Sequence, residues 1–96
     1  MKGVVYIVTN KKNSVLYTGV TSDLKGRVEQ HKLRKHPDSF SARYNLYKLV
    51  YYETFDTIGE AIKKEKKIKG GSRKKKLDLI NRANPEWHDL TGHLDG

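Results

Sequence analysis

The apolar positions of this chain fall into a few short runs separated by polar stretches. Residues 3–9 (Gly-Val-Val-Tyr-Ile-Val-Thr) are β-branched and aromatic, which predicts a strand. Asn10 to Ser14 is polar and turn-forming, and Asn13 is a residue type that tolerates the left-handed backbone region. Residues 15–20 (Val-Leu-Tyr-Thr-Gly-Val) predict a second strand, so the pair reads as a hairpin. Its register stays open, and a slip of one residue reverses every side chain. Thr21 or Ser22 then caps a helix running to about Arg34, with Asp23 placed favourably near its N-terminus. Leu24 and Val28 mark its buried stripe, and Arg27 and His31, four residues apart, share a face at the edge of that stripe.

Residues 35–43 read as a loop and residues 46–53 as a third strand. Thr57-Ile58-Gly59-Glu60 has the form of a capping box and opens a second helix, which ends at Gly70-Gly71. Ser72 caps a third, with Leu77, Leu79 and Ile80 inward, and Asn84-Pro85-Glu86-Trp87 stops it. The element order is ββαβαα, an α/β (α+β) class. Residues 1–90 are expected to form one domain, and residues 91–96 a flexible tail.

One position breaks the polar–apolar logic. Ile58, Ala61, Ile62, Glu65 and Ile68 follow helical spacing, so Glu65 stands on the apolar stripe while Lys63, Lys64, Lys66 and Lys67 point outward. An inward carboxylate needs a cation, hydrogen bonds or a metal. An ion pair with Arg27, or a stripe-edge Glu reaching solvent, would also satisfy the pattern.

Composition narrows the function classes. The chain has 96 residues and no cysteine, which excludes disulfides, thiolate zinc sites and a cysteine nucleophile. His31, His36, His88 and His93 show no zinc-type pairing. No apolar run approaches the roughly 20 residues of a membrane span. The N-terminus enters a strand at once, without a signal-peptide pattern, so the expected location is cytoplasmic. No glycine-rich phosphate loop follows a strand.

The net charge is +9, and it is focused: residues 62–76 hold nine bases and one acid, while residues 77–96 sum to −3. A block of like charge this dense suits a polyanion. Lys63, Lys64, Lys66, Lys67, Lys69, Arg73, Lys74, Lys75 and Lys76 are the candidate nucleic-acid contacts. The competing reading is a solvated helix face.

Tyr6, Tyr17, Arg27, His31 and Glu65 form a parts list for phosphodiester hydrolysis. The reaction needs an activated nucleophile, positive charge at the phosphorus and help for the leaving oxygen. Tyr6 or Tyr17 is a candidate to activate water. Arg27 offers a permanent charge with a fork matched to phosphate oxygens. His31 can accept or relay a proton. Glu65 can hold one Mg²⁺ or Mn²⁺, with waters and phosphate oxygens completing its shell.

These residues resemble the GIY-YIG nuclease superfamily. Val4-Val5-Tyr6 is similar to its first motif and Tyr17-Thr18-Gly19 to its second. Arg27 matches the arginine of the following helix, His31 a polar partner one turn on, and Glu65 the metal-binding glutamate. Leu16-Tyr17-Thr18-Gly19-Val20-Thr21, Leu49-Val50-Tyr51-Tyr52-Glu53, Lys67-Ile68-Lys69 and Asn84-Pro85-Glu86-Trp87 are similar to small stand-alone bacterial members. The resemblance covers about residues 3–90. It implies a three-stranded mixed or antiparallel sheet flanked by helices, with the site residues around a concave face. It also implies hydrolysis of DNA with one divalent ion. Tyr44 takes the place of a third polar residue of some members, and Asn84 that of a late asparagine. Position 4 is Val where the motif has Gly, and position 18 is Thr where it has Ile. Val20 stands where some relatives carry a base, so Lys25 and Lys32 are the candidate substitutes for assisting Tyr17.

The expected function is a divalent-metal-dependent DNA endonuclease of low sequence specificity, serving repair, recombination or mobile-element processing. Its partner is DNA, with branched or flapped forms among the candidates, and a protein partner would aid targeting. The alternatives are a non-catalytic nucleic-acid-binding module of the same fold and a protein-interaction adaptor.

Overall fold

The computed structural model describes residues 2–33 and 44–95. The expected loop over 35–43 and the helix end at Arg34 lie outside the described residues. The order is β1 (Gly3–Thr9), β2 (Leu16–Thr21), α1 (Leu24–Leu33), β3 (Lys48–Phe55), α2 (Ile58–Lys69), α3 (Arg73–Ala83) and a 3₁₀ helix over Leu90–Asp95. The three strands form one antiparallel sheet with β1 in the centre, in the order β2-β1-β3. No helix among the described residues is long and apolar enough to cross a membrane.

The hairpin turn is built by side chains. Asn10 Oδ1 accepts from the backbone N–H groups of Ser14 and Val15, and Thr9 Oγ1 donates to the Val15 carbonyl at 2.7 Å. Asn13 takes the left-handed conformation at φ 56°, as an Asx residue does at low cost. These contacts set the register that the sequence left open: Tyr6 faces Gly19 and Val8 faces Tyr17. Tyr6 and Tyr17 therefore project from the same sheet face, two positions apart along the ladder.

The third strand begins two residues later than expected and runs to Phe55, the partner of Gly3. Leu46 is fully buried ahead of it, after Asn45 turns through a positive φ. A register shift between Ile7 and Val8 breaks the alternation of β3, so Val50 and Tyr51 both join one core cluster while Leu49 joins the other. Asn84 braces this irregularity: its side-chain amide donates to the Val50 carbonyl at 3.0 Å and to the His88 carbonyl at 2.9 Å.

The two sheet faces carry different cores. Val5, Ile7, Val50 and Tyr51 pack with Ala61, Ile68 and Ile80 of α2 and α3. Tyr6, Val8 and Leu49 pack with Leu24 and Val28 of α1 and with Leu46. Each fully buried aliphatic side chain contributes about 1.5–3 kcal/mol.

Helix ends follow local chemistry. Thr57 Oγ1 accepts from the Glu60 N–H, and Ser72 Oγ from the Lys75 N–H. Gly70 closes α2, its N–H reaching the Lys66 carbonyl at 2.9 Å. Leu90 and Leu94, flanking and within the segment from 91 onward, pack against the second cluster.

Candidate active site

The Tyr6 hydroxyl is the centre on which the candidate residues converge. β1 carries Tyr6 in its middle, where the residue is fully buried. Its hydroxyl lies 3.3 Å from His31 Nε2. Tyr17 stands beside it with ring centres 6.4 Å apart, and His31 lies 5.8 Å from the first ring and 6.0 Å from the second. The three rings are mutually tilted, an arrangement favoured by the aromatic quadrupole.

Electrostatics bring in the two charged candidates. Burial, then the neighbouring Tyr17, push the Tyr6 phenol up to about 12, with Glu65 adding to the rise. The Arg27 guanidinium opposes them through its charge and a hydrogen bond to the Tyr6 hydroxyl. Arg27 reaches inward from the exposed side of α1, one turn before His31. Burial, then Arg27, hold the His31 imidazole below its ordinary range. His31 is thus neutral at neutral pH and Tyr6 is protonated.

Glu65 comes from α2 with its side chain only 15% exposed. Its partner is Lys69, one turn on, at 3.0 Å, and not Arg27. The same ammonium lies 5.8 Å from the centre of the Tyr17 ring, within cation–π range. Lys69 is therefore a base that approaches Tyr17, although Val20 offers none. Of the two substitutes considered from sequence, Lys32 is held by Asp89 at 2.7 Å and lies over Tyr47. The i, i+4 spacing from Glu65 was the signal in the sequence for Lys69.

Other candidates lie elsewhere. Asn84 is buried and its side chain is committed to backbone groups, accepting from the His88 N–H besides its two donations. Tyr44 is 42% exposed and lines a shallow cavity with Lys11, Lys12 and Tyr47. Arg73 donates to the Ser14 carbonyl at 3.0 Å, which ties the start of α3 to the hairpin turn. Lys63, Lys66, Lys67, Lys74 and Lys75 are exposed, and Lys64 and Lys76 are half-buried.

Glu65 offers one carboxylate, whose charge is felt at the Tyr6 hydroxyl. Among the described residues no three His, Cys, Asp or Glu side chains cluster as a metal cage. Hard oxygen donors in small number fit Mg²⁺ or Mn²⁺, which keep several waters and bind phosphate oxygens directly. They do not fit a structural zinc site.

Comparison with known proteins identifies the family of this fold. A model of the GIY-YIG catalytic domain matches residues 2–78. The chain is 43% identical over 84 residues to UPF0213 protein SSP2268 of Staphylococcus saprophyticus, covering 83% of this chain and 95% of that one. It is 42% identical over 76 residues to UPF0213 protein SA0446 of Staphylococcus aureus strain N315, covering 79% and 90%. The solution NMR structure of UPF0213 protein BH0048 from Bacillus halodurans is similar with a TM-score of 0.59 at 30% identity, covering 95% of each chain. With its two tyrosine strands and the helices bearing Arg27, His31 and Glu65, this chain belongs to the GIY-YIG family of nuclease domains.

Proposed function

We propose that this protein is a divalent-metal-dependent endonuclease that hydrolyses DNA phosphodiester bonds with low sequence specificity, in repair or recombination. The observation that carries the reading is the meeting of His31 and Arg27 at one tyrosine hydroxyl, with Glu65 near enough for its charge to be felt there.

A divalent ion bound at Glu65 would supply Lewis-acid stabilisation of charge on the phosphate and leaving oxygens. The chain's own residues do the rest. Arg27 holds the non-bridging phosphate oxygens and offsets charge as it builds. Tyr6, too weak an acid to become a phenolate at neutral pH, works as a relay. It takes a proton from the attacking water as it passes its own to neutral His31. That direction requires the His31 tautomer protonated at Nδ1, leaving Nε2 to accept. Tyr17, only half-buried, orients the water and the strand. Lys69, the partner of Glu65, lies over the Tyr17 ring and would serve as a second cation for the phosphate. Backbone contacts by the lysines of residues 63–76 supply affinity without reading bases, so binding falls steeply with salt.

The test is nicking of supercoiled plasmid in Mg²⁺ or Mn²⁺ against EDTA, with wild type and Glu65→Gln prepared identically. Metal-dependent nicking by wild type alone is expected. Equal nicking by both removes Glu65 from the reaction. DNA binding by wild type without cutting of plasmid, nicked or flapped DNA leaves the non-catalytic module as the reading.

A further inference from the structure

The basic residues of α2 and α3 do not form one surface. At about 100° per residue, Lys64 and Lys67 lie beyond the buried Ala61–Ile68 stripe from Glu65 and Lys69. Relative to Glu65 they sit about 100° and 160° around the helix axis. On that far side a groove of about 340 Å³ runs between α2 and α3. Its walls carry Lys64, Lys67, Lys75, Lys76 and Arg82. Its floor includes Ile68 and Leu79, and Asp78 is its one acid among the described residues. Lys64 is 3.9 Å from Glu53. Among the described residues no carboxylate pairs with Lys67, Lys75, Lys76 or Arg82. Four unpaired cations facing one acid, Asp78, leave a net positive groove, and a bound polyanion relieves their repulsion.

We infer that this groove binds the phosphate backbone of a single-stranded flap that continues from the DNA cut at the tyrosine site. The inference rests on the nuclease reading and names its substrate class. The molecule spans only 29 × 29 × 27 Å. Duplex DNA, with a persistence length of about 500 Å, does not turn from one side of α2 to the other over that distance without a kink. A single strand does. Among the described residues no aromatic side chain lines the groove, so they offer no stacking platform of the kind that holds bases in many single-strand binders. Recognition is therefore of phosphate and chain flexibility, not of sequence.

The experiment measures anisotropy of labelled nicked duplexes with and without a flap, using full-length Glu65→Gln protein so that nothing is cut. Tighter binding of the flapped DNA is expected. The triple variant Lys67→Ser, Lys75→Ser, Arg82→Ser, made in that background, removes the difference between the two DNAs. For flapped DNA it also lowers the slope of log K against log salt by about 2, the value for three lost contacts to a single strand. Lys67, Lys75 and Arg82 are exposed, and an unchanged melting temperature checks that the triple variant folds. If it does not fold, each single Gln variant is expected to lose part of the difference. Equal affinity for both DNAs, an equal loss on both, or displacement of the flap by polyglutamate at matched charge overturns the inference. Cutting by wild type is scored separately. Failure of the nuclease reading appears as flap preference without cleavage, and failure of the groove as cleavage without flap preference.

Discussion

The ring of Tyr6 lies directly on the backbone of Gly19. A Cβ built at residue 19 would stand 2.5 Å from the Tyr6 hydroxyl oxygen and 2.6 Å from Cζ, closer than any side chain tolerates. Gly19 is opposite Tyr6 in the ladder, so the second tyrosine motif ends in glycine to make room for the first tyrosine. Gly19→Ala is expected to displace the Tyr6 hydroxyl from His31. Overpacking of this kind costs about 1–3 kcal/mol. Thermal unfolding reads that loss. In a variant that still folds, nicking should fall far more than DNA binding.

Tyr6 also sets an alkaline limit on stability. Its phenol is pushed from 10.0 up to about 12 in the folded chain. Between those values the unfolded chain has lost the proton and the folded chain has kept it, so stability falls as pH rises through that window. The full effect is on the order of 2–3 kcal/mol. Urea unfolding from pH 9 to 12 should show the decline in wild type and a shallower one in Tyr6→Phe. Nicking by Tyr6→Phe should be lost at every pH, because no relay remains.

His31 gives the acid limb. Its folded pKa lies below the ordinary 6.5, so the unfolded chain binds the extra proton first. The stabilising effect is present above pH 6.5 and is lost as pH falls toward the folded value. Catalysis should follow the same group. Single-turnover cutting at saturating DNA should rise with pH through a midpoint below 6.5, and His31→Gln should lose that midpoint as well as rate.

On the proposed reading, Lys69 competes with a divalent ion for Glu65. The pair is half-exposed on the lysine side, and such pairs contribute at most about 1 kcal/mol. Lys69→Met should therefore tighten Mn²⁺ binding, by up to about fivefold, while slowing cutting. Glu65→Gln should abolish the Mn²⁺ signal. Electron paramagnetic resonance of Mn²⁺ titrated into each protein reads the affinities without catalysis. Unchanged affinity in Lys69→Met would remove Lys69 from the metal step.

Asp89 is the structural carboxylate most exposed to this kind of test. One oxygen accepts from the N–H groups of Leu49 and Thr91 and from the Thr91 hydroxyl, and the other pairs with Lys32. Burial works to raise its pKa, but Lys32, Thr91 and Leu49 outweigh it and hold the carboxyl below its ordinary range. The stabilisation is present above the ordinary carboxylate range and is lost as pH falls through the lowered value. Asp89→Ala leaves those donors unpaired and should cost about 1–3 kcal/mol, read as a lower melting temperature at pH 7.

Much of this was legible from residue type. The turn at Asn13, the caps at Thr57 and Ser72 and the stop at Gly70 depend on local hydrogen bonds that those side chains make wherever they stand. Glu65 announced itself by standing on an apolar stripe. Other features depend on distant groups. The irregularity at Val50 is set by pairing with β1 and by Asn84, and strict alternation along β3 cannot reveal it. Ile62 sits on the helical stripe yet is 37% exposed, because at about 100° per residue it stands at the stripe's edge, well round the helix from the buried Ala61 and Ile68. Lys69 looked like one more base in a run of nine, and only the fold turns it toward Tyr17. The split of that run into two surfaces likewise needs the position of α3.

The last stretch of chain has a consequence for the order of synthesis. Asn84 closes on the Val50 carbonyl, Asp89 on Leu49 and Lys32, and Leu90 and Leu94 on the cluster that holds Tyr6 and Val28. The sheet face that carries the tyrosines is thus sealed by residues translated after all its strands. A nascent chain shorter than about residue 94 lacks part of the wall around Tyr6. The wall around Tyr6 is therefore completed only after all three strands have been made, so early folding leaves this sheet face open.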